Sequence, residues 1–235
     1  MNLLILVIYS KDEIYDKMLE LQRSYLHKFK NVSSYFIDFR ENQTKLVEIE
    51  KDMIYVKGKN SYLNITYKTI EALAHMLQFP FDYIIRTNIS TILNIPYLYT
   101  YCLQLPKTNI YRGGNLLHVN HIDKPCGIID KSLWGTNYIQ GTSIIMSYDI
   151  AKLMVVNKSK IRHDVIDDVS IGVFIKKYTS IVPTGTGFFQ ILPATRSIPI
   201  NSIFYRNRLN NRKQDIENMK KIIHILNQPN IKKMF

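Results

Sequence analysis

Two kinds of apolar pattern alternate along the first half of the chain. Continuous apolar runs are typical of strands covered on both faces, and apolar residues that recur about every 3.6 positions are typical of helices. The continuous runs predict strands at residues 3–8, 34–39, 53–56 and 83–85. The helical spacing predicts helices at residues 11–28 and 63–77, the second closed by Pro80.

This alternation predicts an α/β fold with a mostly parallel central sheet flanked by helices, because parallel strands need crossover connections. Ligands of such sheets bind at the carboxyl ends of the strands. Tyr9 and Ser10 follow the first strand, and the segment RTN at residues 86–88 follows the strand at residues 83–85. We therefore expect the binding cleft there. The chain holds neither a GxGxxG motif nor a Walker loop, which argues against a dinucleotide oxidoreductase and a nucleoside triphosphatase.

The second half of the chain is less regular. Residues 113–136 are rich in Gly, His, Asn and Asp, which is typical of a long functional loop region. A short apolar run at residues 143–146 precedes a helix that is predicted to begin near Asp149. A further helix is predicted to begin at Asp167 and Asp168.

The net charge of +12 and the pI of about 9.5 indicate anionic partners, such as nucleotide phosphates, nucleic acid or a membrane surface. Codon bias toward Ile, Asn and Lys is an alternative source of this excess. No helix-turn-helix, RNA-recognition or zinc-finger pattern accompanies the charge. The basic amphipathic pattern at residues 214–227 is interpreted as a packed terminal helix. We therefore expect no nucleic-acid partner.

The cellular setting is suggested by cysteine usage and by the first apolar run. Cys102 and Cys126 are too few for a disulfide framework, so a reducing cytosol is the simpler setting. The run at residues 3–8 is shorter than a signal-peptide core and far shorter than a membrane span. We expect a cytoplasmic protein without a membrane span, and the oligomeric state stays open.

Three motifs in order carry a family resemblance. The first is NSYLNITYKTIEALAHMLQFPFDYIIRTNIS at residues 60–90, and the others are YIQGTSIIMSYDIAKLM at residues 138–154 and IDDVSIG at residues 166–172. Together they resemble the inverting β-1,3-galactosyltransferase and Fringe-like glycosyltransferases. That family typically shows Asp-x-Tyr-x-Asn-Leu-Thr-x-Lys-Thr, a helix and a strand ending in DxD, then a small-residue strand and a Glu/Asp-Asp-Val-x-x-Gly signature. Asn60 replaces the usual Asp, and the resemblance covers about residues 1–205.

The resemblance implies a GT-A fold, which is Rossmann-like, as a single domain over residues 1–235. Its nucleotide-binding half would span about residues 1–105, and its acceptor and catalytic half about residues 106–235. It also implies transfer of a hexose, with inversion, from a UDP-type nucleotide-sugar donor to a glycan or other hydroxyl acceptor. An alternative is a catalytically degenerate relative that binds a nucleotide sugar or a glycan.

Inverting transfer needs a base that takes the proton of the acceptor hydroxyl, and a carboxylate suits that role. Asp167 and Asp168 are the candidates, since paired acids can raise one another's pKa. Their alternative role is to cap the start of a helix. By the family's pattern, Asp168 is the base, and Asp167 orients it or the acceptor.

The diphosphate site departs from the family's pattern. Relatives hold manganese or magnesium with the DxD carboxylates, usually helped by a later histidine, because a hard cation prefers anionic oxygen ligands. Here Asn88 and Ser90 occupy the DxD positions, and Phe204 stands where relatives often carry the histidine before an aromatic–Arg pair, here Tyr205 and Arg206. We therefore assign no metal ligand, and expect Mn²⁺ or Mg²⁺ only if the degenerate motif still binds one.

Arginine side chains are the predicted replacement, because a guanidinium group matches phosphate oxygens. Hydrogen bonds to charged groups contribute about 1.5–3 kcal/mol each, so two or three would match the several kcal/mol of a Lewis-acid metal. The alternative for the two C-terminal arginines is a solvated tail.

The expected donor-binding residues are Tyr9, Ser10, Lys68, Arg86, Thr87, Asn88, Ser90, Arg206 and Arg208. The expected acceptor-binding residues are Trp134, Gly141 and Thr142. The spacing of His118, His121 and Asp123 matches no zinc pattern.

Overall fold

Helices and strands alternate through residues 1–192, 198–209 and 211–228, which the computed structural model describes. Six α-helices occur in these ranges: α1 Glu13–Leu26, α2 Ile65–Met76, α3 Ile95–Leu103, α4 Tyr148–Val156, α5 Asp167–Tyr178 and α6 Arg212–Leu226. The strands of the same ranges are β1 Leu3–Ile8, β2 Val32–Arg40, β3 Val47–Glu50, β4 Met53–Lys57, β5 Tyr83–Asn88, β6 Thr91–Leu93, β7 Tyr111–Gly113, β8 Leu116–His118, β9 Asn137–Ile139, β10 Ile144–Ser147, β11 Thr184–Gly185, β12 Phe189–Leu192 and β13 Phe204–Asn207. Residues 193–197, 210 and 229–235 of the expected domain lie outside the described residues.

The central sheet has eight strands in the order β11-β7-β10-β5-β1-β2-β4-β3. Strand β1 pairs in parallel with β2 and β5, and β2 pairs in parallel with β4. Strand β10 is antiparallel to both of its neighbours, and β3 is antiparallel to β4. Six strands therefore run in one direction and two in the other, so the prediction of an α/β fold with a mostly parallel sheet is confirmed.

The first strand explains why its apolar run is continuous. Leu3, Ile5 and Val7 face one core, which α1, α3 and α6 cover, whereas Leu4 and Leu6 face the second core under α2, α4 and α5. Successive side chains of a strand point to opposite faces, so a strand with a core on each side carries no polar position. The two-sided core holds β1 in the middle of the sheet.

Several boundaries differ from the sequence predictions. Helix α1 begins at Glu13 because the Asp12 carboxylate accepts a hydrogen bond from the Ile14 N–H at 2.9 Å and so caps the helix. Strand β5 continues to Asn88, so Arg86, Thr87 and Asn88 end the strand and do not follow it. Helix α3 was not predicted, because its nine residues are apolar or aromatic on most faces and show little periodicity.

Two small sheets position segments of the second half. In one of them, β13 lies between β12 and β6, with Arg206 opposite Thr91. This pairing brings the C-terminal segment beside the end of β5. In the other, β8 pairs with β9, and β9 packs against α5. Gly172 allows this close packing, since a Cβ there would lie 2.5 Å from the Tyr138 Cβ.

Within the described ranges, no helix is both long enough and apolar enough to cross a membrane.

Candidate active site

The two predicted acidic residues lie in the first turn of α5, beside the carboxyl end of β5. Ile166 occupies the N-cap position, so neither Asp167 nor Asp168 is the cap itself. A negative charge in the first turn of a helix is stabilised by the helix dipole. The two neighbouring carboxylates point into different surroundings, and this difference separates their roles.

Asp167 is buried in an ion pair. Its Oδ2 lies 2.5 Å from Arg86 Nη2 and accepts a hydrogen bond from the Thr69 hydroxyl at 3.2 Å. Only 1% of Asp167 and 5% of Arg86 are exposed. Arg86 Nη1 also donates to the carbonyl oxygen of Gly141. The guanidinium is therefore held inside the protein by β5, α5 and the turn before β10.

Asp168 is half-buried, and its carboxylate accepts two backbone hydrogen bonds. The Gly141 N–H donates to Oδ2 at 2.9 Å, and the Val169 N–H donates to Oδ1 at 2.8 Å. Burial raises the pKa of Asp168 to about 6, and the charge of Asp167 adds to the effect. The two N–H groups and the positive charge of Arg86 oppose the rise. The result is a carboxylate that can accept a proton near neutral pH.

The turn before β10 connects the parts of this site. Gly141 donates its N–H to Asp168 and accepts at its carbonyl from Arg86. A Cβ at Gly141 would lie 2.5 Å from Arg86 Nη1, so a larger residue there would displace the Arg86 guanidinium. The Thr142 carbonyl accepts from the Thr87 hydroxyl at 2.8 Å. Gly141 and Thr142 are buried, and their contacts within the described residues connect this turn to β5 and α5.

The carboxyl end of β1 lies beside that of β5, since Ile8 is opposite Asn88. Lys68 donates from Nζ to the Tyr9 carbonyl at 2.8 Å and is fully buried. Burial lowers the pKa of Lys68 to about 8, and the nearby Asp38 carboxylate partly offsets this. The Ser10 hydroxyl donates to Asn60 Oδ1 at 3.3 Å.

Two of the predicted donor-binding residues make contacts inside the protein. Lys68 supports the chain beneath Tyr9, and Arg86 supports Asp167 and Gly141. Both cations are buried by their contacts, so this geometry favours positioning roles for them over direct contact with a donor. The strand periodicity did not show this, because it locates a residue at a strand end without locating its long-range partner.

The positions where a divalent cation would be expected do not fit one. Asn88 Oδ1 accepts from the Thr91 hydroxyl at 2.8 Å. Ser90 Oγ accepts from Arg206 Nη1 at 2.6 Å, which puts a positive charge beside the would-be ligand. No group of three His, Cys, Asp or Glu residues that could hold a metal ion occurs in the described residues. Phe204 is fully buried in β13.

The remaining predicted residues lie at the surface. Arg208 is exposed after β13, and Trp134 is 39% exposed with the Lys131 ammonium 5.0 Å from its ring centroid. No hydrogen bond or ion pair within the described ranges joins either one to Asp168. The His118 and His121 rings form hydrogen bonds with asparagine side chains, at 2.9 and 3.0 Å.

Sequence reasoning missed three groups around Asp168 and one acid near β1. The Asp168 charge contributes to raising the pKa of Tyr62, Cys126 and Tyr138, after burial as the main cause for each, so these groups lie close to the carboxylate. The motif residues Tyr62 and Tyr138 were a signal for this neighbourhood. Asp38 is buried at the end of β2, and the signal for it was one acid inside an apolar strand.

A cavity of about 440 Å³ lies away from these residues. It is lined at the amino ends of β1 and β5 by Asn2, Phe79, Phe81 and Asp82 among others. Ligands of parallel sheets bind at the opposite, carboxyl ends. The candidate site is therefore identified by its charged groups and not by cavity volume.

The fold is that of a GT-A-like glycosyltransferase, with an eight-stranded mixed sheet and helices on both of its faces. The acid pair beside the carboxyl end of β5 agrees with this class. A model of the Galactosyltransferase family matches residues 38–182, more than half of the chain, and the chain belongs to this family. It is therefore a glycosyltransferase that uses a glycosyl donor and an acceptor. The matched range contains Arg86, Gly141 and both aspartates, whereas Tyr9 and Arg206 lie outside it. In a comparison with curated proteins, no significant match was found.

The Arg86–Asp167 ion pair generates a stability prediction. Replacing Arg86 by Met leaves the buried Asp167 carboxylate without its cation, which we expect to lower the free energy of unfolding by about 3–5 kcal/mol. In the Arg86→Met/Asp167→Leu double variant, no charge is left unpaired, so we expect part of the loss to be recovered. Urea unfolding followed by circular dichroism measures both changes. A double variant no more stable than Arg86→Met would contradict the assigned pairing.

Proposed function

We propose that the protein is an inverting glycosyltransferase that moves a hexose from a UDP-type nucleotide sugar to a glycan or other hydroxyl acceptor. Asp168 is the base. The observation that carries this proposal is the difference between the two acids of α5. The Asp167 carboxylate is paired with Arg86. Asp168 is half-buried, has a raised pKa and is oriented by two N–H groups.

The proposed reaction is a single displacement. Asp168 takes the proton of the acceptor hydroxyl while that oxygen forms a bond to the anomeric carbon. The bond from the anomeric carbon to the phosphate oxygen breaks, and the electron pair leaves with the nucleoside diphosphate. Attack on the face opposite the leaving group inverts the configuration. The Gly141 and Val169 N–H groups hold the carboxylate in position throughout.

The donor and the acceptor approach from different sides in this proposal. The donor lies over the carboxyl ends of β1 and β5, with the nucleoside near Tyr9 and Ser10. The acceptor lies near the rings of Tyr62 and Tyr138, which flank Asp168 and offer apolar faces for a sugar ring. Trp134 is a further acceptor candidate, since its indole is partly exposed.

Replacing Asp168 by Asn tests the base directly. The amide keeps the size of the side chain but cannot take the proton, so we expect kcat/KM to fall by about 100-fold or more. The matched control is Asp164→Asn in the loop before α5, since Asp164 is exposed and pairs only with Arg162 in the described structure. Its transfer rate should stay within about twofold of the wild type. Full activity of Asp168→Asn in a sugar-transfer assay would refute the assignment.

The pKa of Asp168 also predicts a pH dependence. The base acts as the carboxylate, and its pKa is raised to about 6, so the protonated, inactive form dominates below that value. We expect log kcat/KM to rise with slope one as pH increases toward about 6 and to level off above it. A profile measured from pH 4.5 to 8 checks this. A flat profile down to pH 4.5 would place the base's pKa near the ordinary value and contradict the described surroundings.

A further inference from the structure

Two arginine side chains near the end of β5 have no carboxylate partner among the described residues. Arg206 lies in β13, and Arg208 follows it. Their neighbours Arg86 and Arg212 are each neutralised by an aspartate, with contacts of 2.5 and 2.8 Å. The segment that carries Arg206, Arg208 and Arg212 therefore has an excess of positive charge.

Arg206 is the more constrained of the two. It is half-buried, and in the described residues its hydrogen-bond partner is the neutral Ser90 hydroxyl at 2.6 Å. Burial, followed by repulsion from Arg212 and Arg208, lowers the pKa of Arg206 to about 10, and the charge of Asp215 partly offsets this. A partly buried cation beside other cations is unfavourable without a compensating anion. The arrangement is that of an anion site.

The backbone around Arg206 fixes the direction of its side chain. Arg206 pairs across the sheet with Thr91 in β6, directly after Ser90. The Asn207 N–H and side-chain Nδ2 both donate to the Ser90 carbonyl, at 3.0 and 3.1 Å. Because two strands and three hydrogen bonds connect the segments, Arg206 is held in place before a ligand arrives. This reduces the ordering cost of binding.

The position of Arg206 relative to Asp168 also suits a donor. The charge of Arg86 acts on both Asp168 and Arg206, so Arg86 lies near both groups. Arg206 adjoins the carboxyl end of β5, where ligands of parallel sheets bind. A donor lying across this edge would direct its sugar toward Asp168 and its diphosphate toward Arg206.

We propose that Arg206 binds the diphosphate of the donor at Ser90, in place of a divalent cation, with Arg208 as a second and more exposed contact. This rests on the proposed function, because it assumes a nucleoside-diphosphate donor. The planar guanidinium matches two phosphate oxygens at once. When the bond to the anomeric carbon breaks, the same cation stabilises the negative charge that develops on the leaving diphosphate.

The test is calorimetric titration of the full chain with UDP, once with EDTA and once with Mn²⁺. We expect the two dissociation constants to agree within about twofold. Arg206→Ala should weaken UDP binding about tenfold or more, because it removes a charged hydrogen-bond donor. Uridine lacks the diphosphate, so Arg206→Ala should change the weaker affinity for uridine by less than about twofold.

Two further variants control for charge and for folding. Lys213→Ala removes one positive charge from the exposed first turn of α6 and should leave UDP affinity within about twofold of the wild type. Ser90→Asp keeps Arg206 but gives it a carboxylate partner, so UDP binding in EDTA should weaken even if Arg206→Ala fails to fold. Urea unfolding of each variant separates lost binding from lost structure.

The outcomes separate this proposal from the one on which it rests. UDP binding that requires Mn²⁺ would overturn the role of Arg206 and leave the transfer reaction standing. The same holds if folded Arg206→Ala and Ser90→Asp bind UDP as tightly as the wild type. Failure of UDP, GDP and ADP to bind under either condition would contradict both proposals, because no nucleoside-diphosphate donor would then be recognised.

Discussion

The buried ion pair between Arg86 and Asp167 is the interaction on which the site depends. A buried charge needs a partner of opposite charge. Here Arg86 and Asp167 are each other's partner, and both are buried. Arg86 belongs to β5 and Asp167 to α5, and the Gly141 carbonyl adds the turn before β10. The Gly141 N–H then holds Asp168. The orientation of the proposed base therefore depends on a turn that the buried pair also contacts.

The site places negative charge on one side and positive charge on the other. On one side, burial and then the charge of Asp167 raise the pKa of Asp168, which makes it a better proton acceptor than an exposed aspartate near neutral pH. On the other side, Arg206 is a half-buried cation that lacks a carboxylate partner among the described residues. In the proposed reaction, a proton moves toward the first group and negative charge develops beside the second. The neutral Ser90 fits this division, because a carboxylate at that position would neutralise Arg206.

Periodicity and strand ends predicted most of the architecture, because burial on both faces gives β1 and β5 continuous apolar runs in the sequence. The acid pair was located at the start of α5 for a similar reason, since a polar pair before an apolar helix is visible in the sequence. The partners of Arg86 and Lys68 were not predictable in this way. Their contacts join residues far apart in the chain, and they exist only once the register of several strands is set. The short β6 and β13, which support Arg206, carry too few residues for a periodic pattern.

The most direct measurement is the anomeric configuration of the first product, determined by NMR after reaction with UDP-hexose donors whose sugars are α-linked. A single base at Asp168 predicts one displacement and therefore a β-linked product. An α-linked product would mean that configuration is retained. That result would contradict the account, because one carboxylate acting as a base on the acceptor cannot produce it.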